Sequence, residues 1–175
     1  MECYKSINIY CEDESRFGLL TRTGRVLTAK GVKPVCPYQH KFENTYLYGA
    51  FSPINGDSFL LELPYCDTDC FQFYIRELSK QNPEELKLVV LDNGAFHKAK
   101  RLIIPDNIIF IFLPPYSPEL NPAEKIWWLL KQEFVCKSFK TIDQLGRHLA
   151  RVVRKTIITK TVKRICSFKY LLCSF

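Results

Sequence analysis

Residues Leu113–Trp128 read LPPYSPELNPAEKIWW. Pro114, Pro115, Pro118 and Pro122 punctuate the first part of this stretch, and an apolar and charged run follows. Each proline fixes its own φ and biases the residue before it away from helix, which predicts a stiff loop. Pro122 suits the first turn of a helix, and PAEKIWWLLKQEFVCK is read as that helix. Glu124 therefore stands in a first helical turn at the end of a rigid lead-in. A carboxylate there is favoured by the helix dipole alone. The stiffness of the loop implies more: Glu124 is held against groups that come from elsewhere in the chain.

Moving outward, NIIFIFL precedes the loop and reads as an apolar strand, and LKLVVLD before it reads as a strand covered on both faces. A short helix is expected within residues 93–101. DTDCFQFYIRELSKQ places Phe71, Tyr74, Ile75 and Leu78 at helical spacing, with Asp67 or Thr68 as the cap. NTYLYGAFSPINGDSFLLELPY reads as two strands joined at Asn55-Gly56, and FGLLTRTGRVLTAKG carries a weaker hairpin signal at Thr23-Gly24. SINIYCEDE reads as a strand that ends at the acidic cluster, so that Asp13 follows it. Downstream, residues from Thr141 to about Ile158 form an amphipathic helix with Ile142, Leu145, Leu149, Val152 and Val153 on one face. Residues 159–175 give no clear reading. Three to four antiparallel strands followed by β-α-β units predict a mixed sheet with helices on its faces.

Composition bounds the function. The chain has 175 residues, 47% hydrophobic and 14% aromatic, which excludes a disordered chain and fits one domain. No apolar run reaches the ~18 residues of a membrane span, and acidic residues stand where a signal peptide has its apolar core. A cytoplasmic protein without a membrane partner is expected. The eight cysteines form no Cys-x-x-Cys pair, which argues against zinc ribbons, and free thiols are expected. Residues 1–124 carry 13 Lys/Arg and 16 Asp/Glu, whereas residues 125–175 carry 12 and 2. A basic tail on an acidic body points to a polyanion or to a solvated helix face.

Three acids sit at element boundaries: Asp13, Asp92 and Glu124. Sites gather beyond the carboxyl ends of parallel strands, and Asp92 ends one. Carboxylate oxygens with little histidine nearby suit Mg²⁺ or Mn²⁺, and such sets hold two ions ~3.5–4 Å apart for in-line phosphoryl displacement. Bland readings stand beside this. Asp92 could cap a turn, Glu12 or Glu14 could replace Asp13 in EDE, and His97 could be a core or surface residue. Trp127 and Trp128 read as core anchors rather than base-stacking residues.

DESRFGL, YLYGAFSPINGD, LVVLDNGAFHKA and LPPYSPELNPAEKIWWLLK, in this order, resemble the catalytic domain of mariner-superfamily transposases, specifically the bacterial insertion-sequence branch. The resemblance covers roughly residues 5–135. It implies a ribonuclease H-like α/β fold: a five-stranded mixed sheet, an antiparallel meander and then parallel strands, with helices on both faces. A catalytic domain over 1–140 and a basic helical extension over 141–175, packed on it or following it, are expected. It also implies a metal triad of Asp13, Asp92 and Glu124 holding two Mg²⁺, with Mn²⁺ as a substitute, and supporting roles for Asn93 and His97. Leu27 departs from an expected tryptophan and Ala123 from an expected isoleucine; both read as packing changes. The implied activity is cleavage and strand transfer at transposon ends in double-stranded DNA. A homodimer and nucleoid association in a bacterial cytoplasm are compatible with it. Arg147, Arg151, Arg154 and Lys155 are the candidate phosphate contacts. Because a strand starts within the first ten residues, N-terminal helix-turn-helix modules are expected to be absent and an upstream segment carrying them to be a partner. A catalytically silent remnant and a ribonuclease H-type nuclease are the competing readings.

Overall fold

The computed structural model describes residues 4–168. Strand β1, Ser6–Gly18, is the spine of a five-stranded sheet. Strand β2, Asn44–Phe51, pairs antiparallel with it, and β3, Ser58–Leu63, pairs antiparallel with β2. The two are joined through a turn in which Gly56 has φ 79°, a left-handed conformation that suits glycine. Helix α1, Thr68–Lys80, leads to β4, Glu85–Leu91, which lies parallel to β1. A 3-10 turn, Ala95–Lys98, leads to β5, Ile108–Phe112, parallel to β4 at the sheet edge. Helices α2 (Ala123–Gln132), α3 (Ile142–Thr156) and α4 (Thr159–Cys166) follow. The sheet order is β3-β2-β1-β4-β5, the expected meander followed by parallel strands.

Two cores flank the sheet. On one face α1 buries Phe71, Tyr74, Ile75 and Leu78 against Tyr10, Tyr48, Val89 and Leu91. Asp67 starts this helix by accepting from the Cys70 N–H at 2.8 Å. On the other face α2, α3 and α4 bury Ile126, Trp127, Leu130, Leu145, Leu149, Val152 and Val162 against Phe17, Leu19, Leu47 and Phe51. Alternation along β1 therefore sends Tyr10, Glu12 and Glu14 toward α1, and Cys11, Asp13 and Phe17 toward α2.

Several expectations need correction. Strand β1 does not end at the acidic cluster: β2 pairs with it from Cys11 through Gly18, so Asp13 lies inside the strand. The hairpin at Thr23-Gly24 does not form. The chain leaves the sheet after Gly18, and Arg22 bridges to Val135 at the end of α2 instead. Gly24 rests on the Val135 side chain, where a Cβ would come within 3.0 Å. Cys36 and Cys136 are joined in a disulfide rather than free, tethering the loop after β1 to the segment after α2. Cys11 and Cys166 are buried free thiols as expected. Helix α2 stops at Gln132, short of the segment expected to be helical. Trp127 is a core anchor, but Trp128 is 63% exposed. Ala123 is fully buried, consistent with a packing change, while Leu27 is fully exposed and packs on nothing. Residues 159–175, without a clear reading from sequence, include α4; the last seven lie outside the described residues. Among the described residues no helix is long and apolar enough to cross a membrane.

Candidate active site

Asp13, Asp92 and Glu124 line one cleft of about 460 Å³, together with Asn93, Leu113–Pro118 and Asn121. They reach it from three elements: mid-β1, the residue after β4, and the first turn of α2. The proline loop forms the outer wall, and Tyr116, with φ 57°, projects fully into solvent at its rim.

Named hydrogen bonds fix this convergence. Asn121 is buried; its Nδ2 donates to the Glu12 carbonyl at 2.7 Å, and its Oδ1 accepts from the Ala123 N–H at 3.1 Å. One side chain thus ties the start of α2 to the backbone of β1 beside Asp13. Trp127 Nε1 donates to Asp13 Oδ2 at 2.9 Å. Opposite Asp13 in the register is Gly49, where a Cβ would come within 2.6 Å of the Trp127 ring. The glycine leaves room for the indole to lie over β2 and reach β1. On the other side, Asn93 Nδ2 donates to the Leu113 carbonyl and Lys98 Nζ to Asn93 Oδ1, which joins the turn after Asp92 to the proline loop. Asp92 Oδ1 accepts from the Gly94 N–H at 2.8 Å.

Electrostatically the cleft is crowded with negative charge. Burial raises the Asp13 carboxyl to about 8, and Glu124 and Glu14 add to the rise; the Trp127 N–H opposes it. Neither Asp13 nor Glu124 forms an ion pair with a lysine or arginine among the described residues. A carboxylate set held together without a cation fits hard divalent ions with oxygen ligands.

A second acidic group lies behind the first, on the α1 face of β1. Glu12 is fully buried, and neither of its carboxylate oxygens has a hydrogen-bond donor. Burial, then Glu14, Asp13 and Asp92, push its pKa well up. His97 Nε2 lies 3.1 Å from Glu14 Oε1 and 3.9 Å from Glu12 Oε2. His97 Nδ1 lies 3.0 Å from Asp92 Oδ1, an ion-pair distance without hydrogen-bond alignment. Burial alone lowers the His97 pKa, but Glu14 and Asp92 outweigh it and the net shift is upward. Glu12, Glu14 and His97 are also the one group, among the described residues, with metal-ligating atoms all within 4.8 Å of one another. The three cleft acids do not form such a tight group.

Of the expected supporting residues, Asn93 lines the cleft and His97 stands behind Asp92. Arg147, Arg151, Arg154 and Lys155 lie on the exposed side of α3, and none lines the cleft; Lys155 Nζ sits 3.9 Å from Glu133. Sequence reading missed the parts played by Asn121, Gly49, the Trp127 N–H and Glu12. An Asn-Pro pair opening a helix does signal a cap, but a donor aimed at a residue 114 positions away leaves no local trace.

Comparison with known proteins bears on this arrangement. The family described as "DDE superfamily endonuclease" matches residues 8–146. A protein of Sinorhizobium fredii (strain NBRC 101917 / NGR234), named "Uncharacterized protein y4pE/y4sA", is 35% identical over 114 residues, which is 64% of this chain and 84% of that one. Among solved structures, the Mos1 transposase paired-end complex with left transposon end superposes with a TM-score of 0.66 at 15% identity, over 91% of this chain and 51% of the other. The Mos1 mariner paired end complex with Mn gives 0.65 at 15% identity, over 90% and 51%. A simian T-cell lymphotropic virus intasome gives 0.52 at 13% identity, over 81% and 46%. The chain spans about half the length of the Mos1 chains. At such identities the likeness is one of fold, and the fold is the ribonuclease H-like one.

Proposed function

Because the chain belongs to the DDE superfamily endonucleases, we propose that it is the catalytic part of a transposase that cuts and rejoins DNA at the ends of a mobile element, with Asp13, Asp92 and Glu124 as its acids. The observation that carries this reading is the single cleft into which three acids from three distant segments converge.

The residues divide the work. Asp13, Asp92 and Glu124 would hold Mg²⁺ or Mn²⁺, which supplies activation of a water or 3′-hydroxyl and charge neutralisation at the leaving oxygen. Trp127 orients Asp13 through its N–H, and Asn121 keeps Glu124 at a fixed distance from β1. The Gly94 N–H holds one oxygen of Asp92, and His97 stands beside the same oxygen. The proline-braced wall limits rearrangement when a strand enters, so catalysis rests on preorganised charge. Cleavage frees a 3′-hydroxyl, and the same site can align it on a second phosphodiester. Recognition of terminal sequences needs side chains aimed at base edges, which the cleft acids do not provide. An upstream helix-turn-helix segment is the partner proposed for that task.

The test is nicking of a supercoiled plasmid in Mg²⁺ by the parent chain and by Asp13→Asn, Asp92→Ala and Glu124→Gln. Each variant is expected to lose at least a hundredfold in rate while keeping the parent's circular dichroism. Undiminished nicking by the Asp92 variant would show that the cleft is not where the chemistry occurs.

A further inference from the structure

Beyond the acids, a second concavity of about 190 Å³ opens between β1 and α2, lined by Arg16, Phe17, Arg22, Lys131 and Lys137. We propose that Arg16, Arg22 and Lys131 form a phosphate subsite that grips the DNA backbone about three nucleotides from the scissile bond; this rests on the reading of the cleft as a DNA-cleaving site.

The spacing follows from the two elements that build both concavities. Trp127 touches Asp13, while further along Lys131 lies over the Phe17 ring at 6.0 Å and Phe134 packs on Phe17 at 5.0 Å. Helix α2 and strand β1 therefore run side by side in one direction away from the acids. Lys131 is seven residues beyond Glu124, roughly 10 Å at 1.5 Å per residue. At about 3.4 Å of rise per nucleotide, that is about three base steps.

The cations are built in rather than scattered. Arg22 is held by its backbone: its carbonyl accepts from the Cys136 N–H at 2.9 Å, and it bridges to Val135. Lys131 is only partly exposed, its ammonium over the Phe17 ring. None of Arg16, Arg22 and Lys131 forms an ion pair among the described residues, whereas Lys137 has Glu133 at 4.0 Å. Three like charges gathered in a groove repel one another unless an anion joins them. A nucleic-acid strand is the polyanion whose successive phosphates can reach this groove and the acids at once. The exposed cations of α3 line neither concavity, and Arg147 lines a separate hollow with Glu62 and Asp143.

The test measures binding of a fluorescein-labelled DNA duplex of arbitrary sequence across a NaCl series in EDTA, so that catalysis plays no part. Arg22→Gln with Lys131→Gln should lower the slope of log affinity against log salt by about 2, near 0.9 per lost contact. Arg22→Lys with Lys131→Arg should restore it. An unchanged slope in the glutamine variant overturns the subsite, as does a charge-retaining variant that binds as weakly as the glutamine one. Equal melting temperatures identify the loss as one of binding; if the glutamine variant melts early, the charge-retaining pair decides. A parent that shows the expected slope but never nicks DNA sinks the cleavage reading and leaves the groove standing. Active nicking with an unchanged slope does the reverse.

Discussion

Asp13 carries a cost whenever it is ionised in the folded chain. Its ordinary value is 3.8 and its folded value about 8. Between these the folded chain keeps a proton that the unfolded chain releases, so metal-free stability falls as pH rises from about 4 to about 8. His97 acts in the same sense. Its folded pKa is raised above 6.5, so its contribution is present below that pH and is lost as pH climbs through the folded value. In EDTA the parent should lose stability over this window, on the order of a few kcal/mol. Asp13→Asn should flatten much of the decline, and Mg²⁺ should restore the parent at pH 8 by binding the folded state. Thermal melts at four pH values read this directly. The same decline in the Asn variant as in the parent would show that Asp13 is not the group that titrates.

At the scale of elements, the helix α2 is where sequence and structure agree and part company. Its start was legible because proline chemistry is local: four prolines and Asn-Pro mark a stiff loop and a first turn whatever the rest of the chain does. Strand β4 and the capped helix α1 were legible for the same reason, through an apolar run and a helical period. The end of β1 was not. Its last residues, Phe17 and Gly18, read as the start of a separate hairpin, and only pairing with β2 makes them the end of β1. Nor could Thr23-Gly24 reveal that the chain after Gly18 would pair with the end of α2 rather than fold back on β1. What fastens α2 is Asn121, and Asn121→Ala leaves the buried Glu12 carbonyl and the Ala123 N–H without their side-chain partner. A loss of about 1–3 kcal/mol is expected. Because Glu124 then loses its tether to β1, nicking should fall further than the stability change explains at a temperature where the variant is still folded. A variant with reduced melting temperature but parental nicking rate would separate Asn121 from the placement of Glu124.

For the whole molecule, Asp92 and Glu124 were readable at element boundaries, whereas Asp13, read the same way, lies inside β1, and the body that holds all three was not readable. Charge marks residues 125–175 as basic, and residues 141–175 read as an extension packed on the domain or following it. In the fold, α3 and α4 cover the same core as α2: Leu145, Leu149, Val152, Val162 and Cys166 are buried beside Trp127, Ile126 and Leu130. Helix periodicity showed that α3 has an apolar face, but not which surface it covers, since that surface is assembled from β1, β2 and α2. The consequence can be sized. Burying a leucine or valine side chain contributes about 1.5–3 kcal/mol, so the four Leu and Val residues together contribute on the order of 10 kcal/mol as an upper bound. A domain of this kind has about 5–15 kcal/mol of net stability. Truncation after Lys140 is therefore expected to abolish cooperative folding rather than release a trimmed, active domain. It would remove part of the core in which Trp127, the donor that orients Asp13, is packed. The measurement is a urea titration followed by Trp fluorescence: the parent should give one sigmoidal transition, the truncated chain a broad drift and no nicking. A truncated chain with a sigmoidal transition and parental nicking would place α3 and α4 outside the catalytic body.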